Sequence, residues 1–277
     1  MSSRYRLLGH PLGHSLSPFI HKRLFALSGQ TEDYTLYDIA PESLSDAVPA
    51  LLGEIRGCNV TIPHKQKVLP FIDRLDGKAA VYQTVNCIAV TEDGVIGYNT
   101  DADGFLCALR EAGIPLSGRV VVIGAGGDGT VLAAEAALAG CEVVIHNAFD
   151  HTMAHALKDR MATIAPDAVV TVSEEIPQGH IDLLVNSTPV GMFPKTDACP
   201  VPDDLIARCD AVFDAIYNPR KTQLLQKAET AGAKTAGGMA MLVWQAAISH
   251  THWYGASFNP EDIDAVINAC YEELKRF

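Results

Sequence analysis

Short runs of branched and aromatic apolar residues recur along the whole chain, and helical patterns lie between them. In order, the runs are YRLLG, YTLYDI, GCNVTI, CIAV, VIGYN, VVVIG, EVVIH, DLLVN and AVFDAI. Their length and composition are typical of buried strands. Strands that alternate with helical segments indicate βαβ units, in which mostly parallel sheets are covered by helices. The sequence therefore predicts an α/β fold.

A helical stretch near the middle of the chain marks the predicted domain boundary. It reads GFLCALREAG over 104–113 and ends at Gly113, a C-cap signal, with Pro115 soon after. One α/β unit lies over 1–103. A second lies over 104–236, and its first strand and the turn after it read RVVVIGAGG. Residues 237–277 are helical in period, and we expect them to pack back on the first unit.

Composition and charge narrow the classes of partner. The 277 residues are 48% hydrophobic, which is enough for two cores. The net charge of -12 argues against nucleic acid or an anionic membrane as the main partner. A secretory signal needs an uninterrupted apolar core near the N-terminus, and Arg4, Arg6 and Pro11 interrupt that region. The seven cysteines are scattered along the chain and include no CxxC pair, which is typical of reduced thiols. We expect a cytoplasmic protein with reduced thiols, either a monomer or a homodimer.

A glycine-rich turn follows the strand VVVI and precedes an alanine-rich helical pattern. Its residues are Gly124, Ala125, Gly126, Gly127, Asp128 and Gly129. The G-x-G-x-x-G spacing between a strand and a helix is typical of dinucleotide binding, since glycines let backbone N–H groups approach a pyrophosphate at the helix N-terminus. An ordinary strand-to-helix turn is the alternative interpretation. Asp128 interacts favourably with the helix dipole, and we expect it to weaken pyrophosphate binding.

The residues at the end of the next strand do not decide whether the cofactor is NAD or NADP. Dinucleotide domains usually carry an acid for the ribose or an arginine for a 2'-phosphate at this point. Here the strand ends with His146, Asn147 and Ala148, and the nearest acid is Asp150.

Three polar stretches follow predicted strands in the first half of the chain. They are GHSLSP over 13–18, NVTIPHK over 59–65 and GYNTDADGF over 97–105. Ligands collect at the carboxyl ends of strands in open parallel sheets, so we expect these stretches to share one edge.

Each stretch also has an ordinary structural interpretation. Ser17 is a suitable N-cap before Pro18, and Pro63 is suited to opening a helix. Asn99 and Asp101 are common turn residues. Their joint occurrence ahead of a phosphate-type turn favours a functional site.

Taken together, seven motifs resemble the shikimate dehydrogenase family over about residues 7–255. They are GHPLGHSLSPFIH, NVTIPHK, GYNTDADGF, GAGGDG, NSTPVGM, FDAIYNP and GGMAMLVWQAA. The resemblance implies a substrate-binding catalytic domain over 1–103, a Rossmann-type doubly wound nucleotide-binding domain over 104–236, and C-terminal helices that return to the first domain. It also implies reversible oxidation of shikimate, a small ring acid, to 3-dehydroshikimate with NAD or NADP.

The resemblance implies roles for individual residues as well. Lys65 and Asp101 resemble the catalytic pair, and hydride transfer to a ketone needs such a proton donor near the developing oxyanion. The residues that resemble substrate ligands are Ser15 and Ser17 for the carboxylate, with Thr61, Asn86, Asp101 and Gln245 for the ring hydroxyls and Lys65 beside them. Besides the glycine turn, the residues that resemble cofactor contacts are Asn147, Ser187, Thr188, Met192 and Gly238.

Three departures from the family pattern affect the expected specificity. Lys22 replaces an asparagine and Cys87 a threonine, so quinate and an aminoshikimate stay open as substrates. Ala148 stands where the family often has an arginine for the 2'-phosphate, so we expect a preference for NAD.

The alternative function is a ring-acid-binding protein that has lost turnover. No third ligand accompanies the histidine pairs 151/155 and 250/252, so we expect no metal site.

Overall fold

The computed structural model describes residues 4–13, 15–147 and 150–276. The chain divides into two compact units. One comprises Met1–Gly104 with Val243–Phe277, and the other is Phe105–Leu242. The predicted limits at 103 and 236 differ from these divisions by one and six residues.

The first unit contains a six-stranded mixed sheet. Its strands are β1 (Tyr5–Gly9), β2 (Tyr34–Asp38), β3 (Gly57–Val60), β4 (Arg74–Leu75), β5 (Cys87–Thr91) and β6 (Gly94–Tyr98). Its helices are α1 (Ser17–Leu27), α2 (Leu44–Leu52), α3 (Gly77–Tyr82) and α10 (Pro260–Leu274), together with the start of α4 (Asp101–Glu111) and most of α9 (Gly238–Tyr254). The strand order is β2-β1-β3-β5-β6-β4.

Strand β5 is the antiparallel member of a sheet that the sequence predicts to be mostly parallel. It pairs antiparallel with both β3 and β6, whereas the other pairs in this sheet are parallel. Only Glu92 and Asp93 separate β5 from β6. A connection of two residues makes a hairpin, because a parallel pair needs a crossover of about a dozen residues. The two reversals leave β6 parallel to β3, so both strands end at the same edge.

The second unit contains a six-stranded parallel sheet. Its strands are β7 (Arg119–Ile123), β8 (Glu142–His146), β9 (Val170–Val172), β10 (Ile181–Asn186), β11 (Cys209–Asp214) and β12 (Lys234–Gly237). Its helices are α5 (Gly127–Leu138), α6 (His151–Ile164), α7 (Asp203–Ile206) and α8 (Gln223–Thr230). The order β12-β11-β10-β7-β8-β9 is that of a doubly wound Rossmann sheet, as the sequence predicts. Its switch point lies between β7 and β10, where ligands bind beyond the strand ends.

Separate hydrophobic cores lie in the two units. In the first, Leu8, Val60 and Ile88 are among the buried residues of one cluster. In the second, Val121, Leu184 and Val212 belong to another. All seven cysteines are free thiols, and in the described part of the chain no helix is both long and apolar enough to cross a membrane.

Candidate active site

Lys65 and Asp101 form an ion pair at the edge of the first sheet. Lys65 lies in the loop after β3, and Asp101 is the first residue of α4, just after β6. Lys65 Nζ donates to Asp101 Oδ2 at 2.8 Å. Their side chains are 19% and 11% exposed, so water screens the pair only in part. The structure thus brings together the two residues that the sequence proposes as the catalytic pair.

Asn86 joins this pair to a second set of polar side chains. Its Nδ2 donates to Asp101 Oδ1 at 2.8 Å and to Thr100 Oγ1 at 3.0 Å, and its Oδ1 accepts from Thr100 N at 2.7 Å. Gln245 Oε1, on α9, lies 3.5 Å from both Asn86 Nδ2 and Thr100 Oγ1. The predicted ligands Asn86, Asp101 and Gln245 are therefore neighbours. Sequence reasoning missed Thr100, although it lies inside the motif NTDADGF.

The loop that carries Lys65 is fixed by hydrogen bonds along its length. Thr61 N donates to Leu8 O at 2.9 Å, and His64 N donates to Thr61 O at 2.9 Å. The His64 ring is buried, and its Nε2 lies 2.7 Å from Ile39 O. A carbonyl oxygen only accepts, so Nε2 carries the hydrogen of that bond. These bonds tie the loop after β3 to the ends of β1 and β2.

Ser15 and Ser17 lie at the start of α1, beyond the end of β1. Ser15 Oγ accepts from Ser17 N at 3.2 Å, a bond that does not use the Ser15 hydroxyl hydrogen. The helix begins at Ser17, with Leu16 at the N-cap position, so the alternative role of Ser17 as the N-cap is wrong. Because β1 and β3 are parallel neighbours, these serines follow a strand that ends at the same edge as the strand before Thr61.

The glycine turn of the second unit lies between β7 and α5, at the switch point of the sheet. Gly124 has φ +99°, a conformation that favours glycine. A Cβ on Gly129 would lie 2.7 Å from Gly124 O, so this helix position needs a glycine for close approach to the turn. A Cβ on Gly126 or Gly127 would meet open space. The arrangement fits the pyrophosphate of a dinucleotide, with half-buried Asp128 in the first helical turn.

The other predicted cofactor residues follow neighbouring strands of the same sheet. Ser187 and Thr188 come directly after β10, and Ser187 Oγ donates to the carbonyl of Ile123 at 2.8 Å. Asn147 is buried after β8, and Met192 is 43% exposed. The last of the predicted set, Gly238, is the first residue of α9.

The histidine pairs that the sequence singled out have other partners. His155 Nε2 lies 3.4 Å from Glu174 Oε1, and His250 Nε2 lies 2.8 Å from the Nδ1 atom of His21. Within the described ranges, the group of three side chains with metal-ligating atoms close together is His180, Asp182 and Asp210, whose side chains are 41–67% exposed.

A Rossmann-type unit, together with a second α/β unit that holds a lysine–aspartate pair, is typical of nicotinamide-dependent dehydrogenases. The family model of the shikimate dehydrogenase substrate-binding domain matches residues 7–88. Shikimate dehydrogenase (NADP(+)) from Methanopyrus kandleri is 40% identical over 260 residues, or 90% of this chain and 89% of that protein. The same enzyme from Moorella thermoacetica is 36% identical over 271 residues, or 94% and 91%.

A solved structure shows the same similarity in three dimensions. Shikimate 5-dehydrogenase from Thermus thermophilus, in complex with NADP(H) and shikimate, superimposes with a TM-score of 0.85 at 32% identity, covering 97% of this chain and all of that one. The chain belongs to the shikimate dehydrogenase family, as its motifs predict. The curated relatives carry NADP(+) in their names, which does not support the expected preference for NAD. Ala148, on which that expectation depends, lies outside the described residues.

Proposed function

We propose that this protein catalyses the reversible, nicotinamide-dependent oxidation of shikimate to 3-dehydroshikimate. The observation that carries the proposal is the ion pair of Lys65 and Asp101, joined to Asn86 and Gln245, in a chain of this family. A protein that only binds a ring acid has no use for a proton donor.

The site residues divide the chemistry between proton transfer and positioning. A dinucleotide held by the turn from Gly124 to Gly129, with Ser187 and Thr188, supplies the group that accepts or delivers hydride. Lys65 Nζ takes the proton of the substrate hydroxyl during oxidation and returns it to the carbonyl oxygen during reduction. Asp101 accepts a hydrogen bond from Nζ at 2.8 Å and so fixes its position. Fixed donors of this kind stabilise the oxyanion that develops in reduction.

The remaining polar groups of the first unit are suited to a polyhydroxylated acid. The amide of Gln245 and the hydroxyls of Thr61 and Thr100 offer both donors and acceptors for ring hydroxyls. The hydroxyls of Ser15 and Ser17 would hold the carboxylate. Local groups must supply this recognition, because a net charge of -12 does not attract an anion.

A panel of substrates and cofactors tests the function. Shikimate, quinate and an aminoshikimate are each offered with NAD and with NADP, and nicotinamide absorbance is followed. We expect reduction with shikimate. Absence of reduction with every pair, together with binding of a ring acid, would instead establish the alternative of a binding protein that has lost turnover.

The cofactor preference is a finer proposal, and we expect NAD to be favoured over NADP. The sequence has alanine at 148 where an arginine would hold the 2'-phosphate. Asp150 Oδ1 accepts from the backbone N–H groups of Thr152 and Met153. These two donors at the start of α6 are therefore not available to a 2'-phosphate. The measurement is kcat/KM with each cofactor. We expect Ala148→Arg to shift the ratio toward NADP by about tenfold, or 1.4 kcal/mol, whereas a wild type that favours NADP by that factor would contradict the proposal.

Replacing Ser15 and Ser17 together by alanine is expected to weaken substrate binding while kcat changes little. Hydroxyls that hold a remote carboxylate interact similarly with the ground state and the transition state, so their loss raises KM. Steady-state kinetics with shikimate as the varied substrate measures both constants. An unchanged KM would remove the two serines from the carboxylate site.

A further inference from the structure

Asp214 is a fully buried carboxylate at the carboxyl end of β11. Three groups donate to it. Asn186 Nδ2 and Ile216 N donate to Oδ1 at 3.0 and 3.1 Å, and Thr222 Oγ1 donates to Oδ2 at 2.6 Å. These partners belong to the end of β10, the loop after β11 and the residue before α8. Asp214 therefore holds three segments together at the edge of the sheet that carries the glycine turn.

One of these bonds leads directly to the predicted cofactor residues. The amide of Asn186 donates to Asp214 through Nδ2, and its Oδ1 accepts from Thr188 N at 3.0 Å and Thr188 Oγ1 at 2.7 Å. A carboxylate polarises the amide that donates to it, which strengthens the bonds on the amide oxygen. The negative charge of Asp214 thus helps fix the orientation of Thr188.

The same loop determines the space at the glycine turn. Ser187 N and Oγ both donate to the carbonyl of Ile123, the last residue of β7. A Cβ on Gly124 would lie 2.7 Å from Ser187 Oγ and 2.9 Å from Thr188 Cγ2. The turn and the loop after β10 are therefore in close contact, and movement of this loop changes the surface on which a dinucleotide would lie.

Ionised Asp214 is costly for the fold. Burial raises the pKa of its carboxyl from the usual 3.8 to about 6, and the three hydrogen bonds offset this only in part. Burial therefore disfavours the charged form of this carboxyl in the folded chain relative to the unfolded chain. Asparagine is a neutral residue of the same shape. Its oxygen accepts from Asn186 and Ile216, and its amide donates to Thr222 Oγ1, which also accepts from Leu225 N. The Thr222 hydroxyl hydrogen then loses Asp214 Oδ2 as its acceptor.

We propose that Asp214 is a positioning residue for the dinucleotide, acting through Asn186 on the loop that carries Ser187 and Thr188. The inference rests on the proposed function, because it takes the second unit to bind a nicotinamide dinucleotide. A charged acceptor makes a hydrogen bond roughly twice as strong as a neutral one, so a neutral residue at 214 holds Asn186 less firmly. Its effect falls on cofactor affinity and not on the proton-transfer residues of the first unit.

The test compares Asp214→Asn with Asp210→Asn, a matched substitution on the same strand. Asp210 is exposed, and its partner His180 is exposed as well. The measurements are Kd for NADH and NADPH by fluorescence titration, KM for cofactor and for shikimate, kcat, and Tm of the protein without ligand. In Asp214→Asn we expect Kd and cofactor KM to rise about tenfold, with shikimate KM unchanged. We expect Tm to stay within a few degrees of that of the wild type, because the burial cost of the charge and the Thr222 bond are lost together. Asp210→Asn should match the wild type throughout.

A merely structural role predicts a different pattern. Weaker cofactor binding accompanied by a Tm lowered by more than a few degrees, or failure of Asp214→Asn to fold, would overturn the inference, as would unchanged affinity with both cofactors. If the wild type reduces the cofactor and Asp214→Asn behaves identically, the inference fails while the proposed function stands. If the wild type binds no dinucleotide, both fail.

Discussion

Lys65→Met is expected to lower kcat by about 100-fold or more, the usual scale for loss of a general acid–base group. Methionine keeps the unbranched stem but cannot carry the proton that Lys65 Nζ exchanges with substrate. Asp101 retains its hydrogen bond from Asn86 Nδ2 at 2.8 Å, so its carboxylate keeps one partner. We therefore expect the fold and the affinity for the ring acid to be largely preserved. Single-turnover rates, Tm and a binding titration measure the three quantities.

Lys67→Met is the matched control for this variant. Lys67 lies two residues further along the same loop and is exposed. The control removes a positive charge and adds an apolar side chain without touching the ion pair, so its kcat should stay near that of the wild type. Near-normal turnover in Lys65→Met, or an equal loss in both variants, would remove Lys65 from the mechanism.

The longer strands could be predicted because burial leaves a simple signal in the sequence. Val120, Val121 and Val122 of β7 are completely buried. Because both faces of such a strand are covered, its residues form a continuous apolar run in the sequence. In contrast, β4 has the sequence RL and β12 has KTAG, and no residue of either strand is buried. Short strands at such edges have no apolar pattern, so sequence reasoning missed them. It also missed β9, an edge strand of only three residues, VTV.

The candidate site was predictable where its residues lie in specific motifs. Lys65 and Asp101 lie in the motifs NVTIPHK and GYNTDADGF, and the structure brings them within hydrogen-bonding distance of each other, with Asn86 bound to Asp101. Asp214 lies in the motif FDAIYNP, yet nothing in that motif shows that its carboxylate accepts from three separate segments. Such convergence depends on the register of β10 and β11 and on the path of the chain into α8.

Close approach at Gly238 could not be predicted from sequence either. A Cβ on this residue would lie 1.9 Å from Ala215 O and 2.4 Å from Ala215 C, both backbone atoms. Its own N–H donates to Ile216 O at 3.1 Å, which holds the start of α9 against the loop after β11. The preceding residue, Gly237, has more room, since its Cβ would meet Leu225 Cδ1 at 3.5 Å. Neighbouring glycines thus differ in how much space surrounds them.

Gly238→Ala is therefore expected to damage both stability and activity, whereas Gly237→Ala serves as its matched control. A real Cβ does not come within 3.0 Å of another heavy atom, so Ala215 O and the start of α9 must separate by at least 1.1 Å, the difference between 3.0 and 1.9 Å. Overpacking of this kind lowers the free energy of unfolding by about 1–3 kcal/mol. Because a shift of about 1 Å in a positioning segment can cost about 100-fold in rate, we expect kcat/KM to fall by that order. Urea unfolding and steady-state kinetics measure the two effects. Equal behaviour of the two alanine variants would show that the contact with Ala215 does not determine the geometry at Gly238.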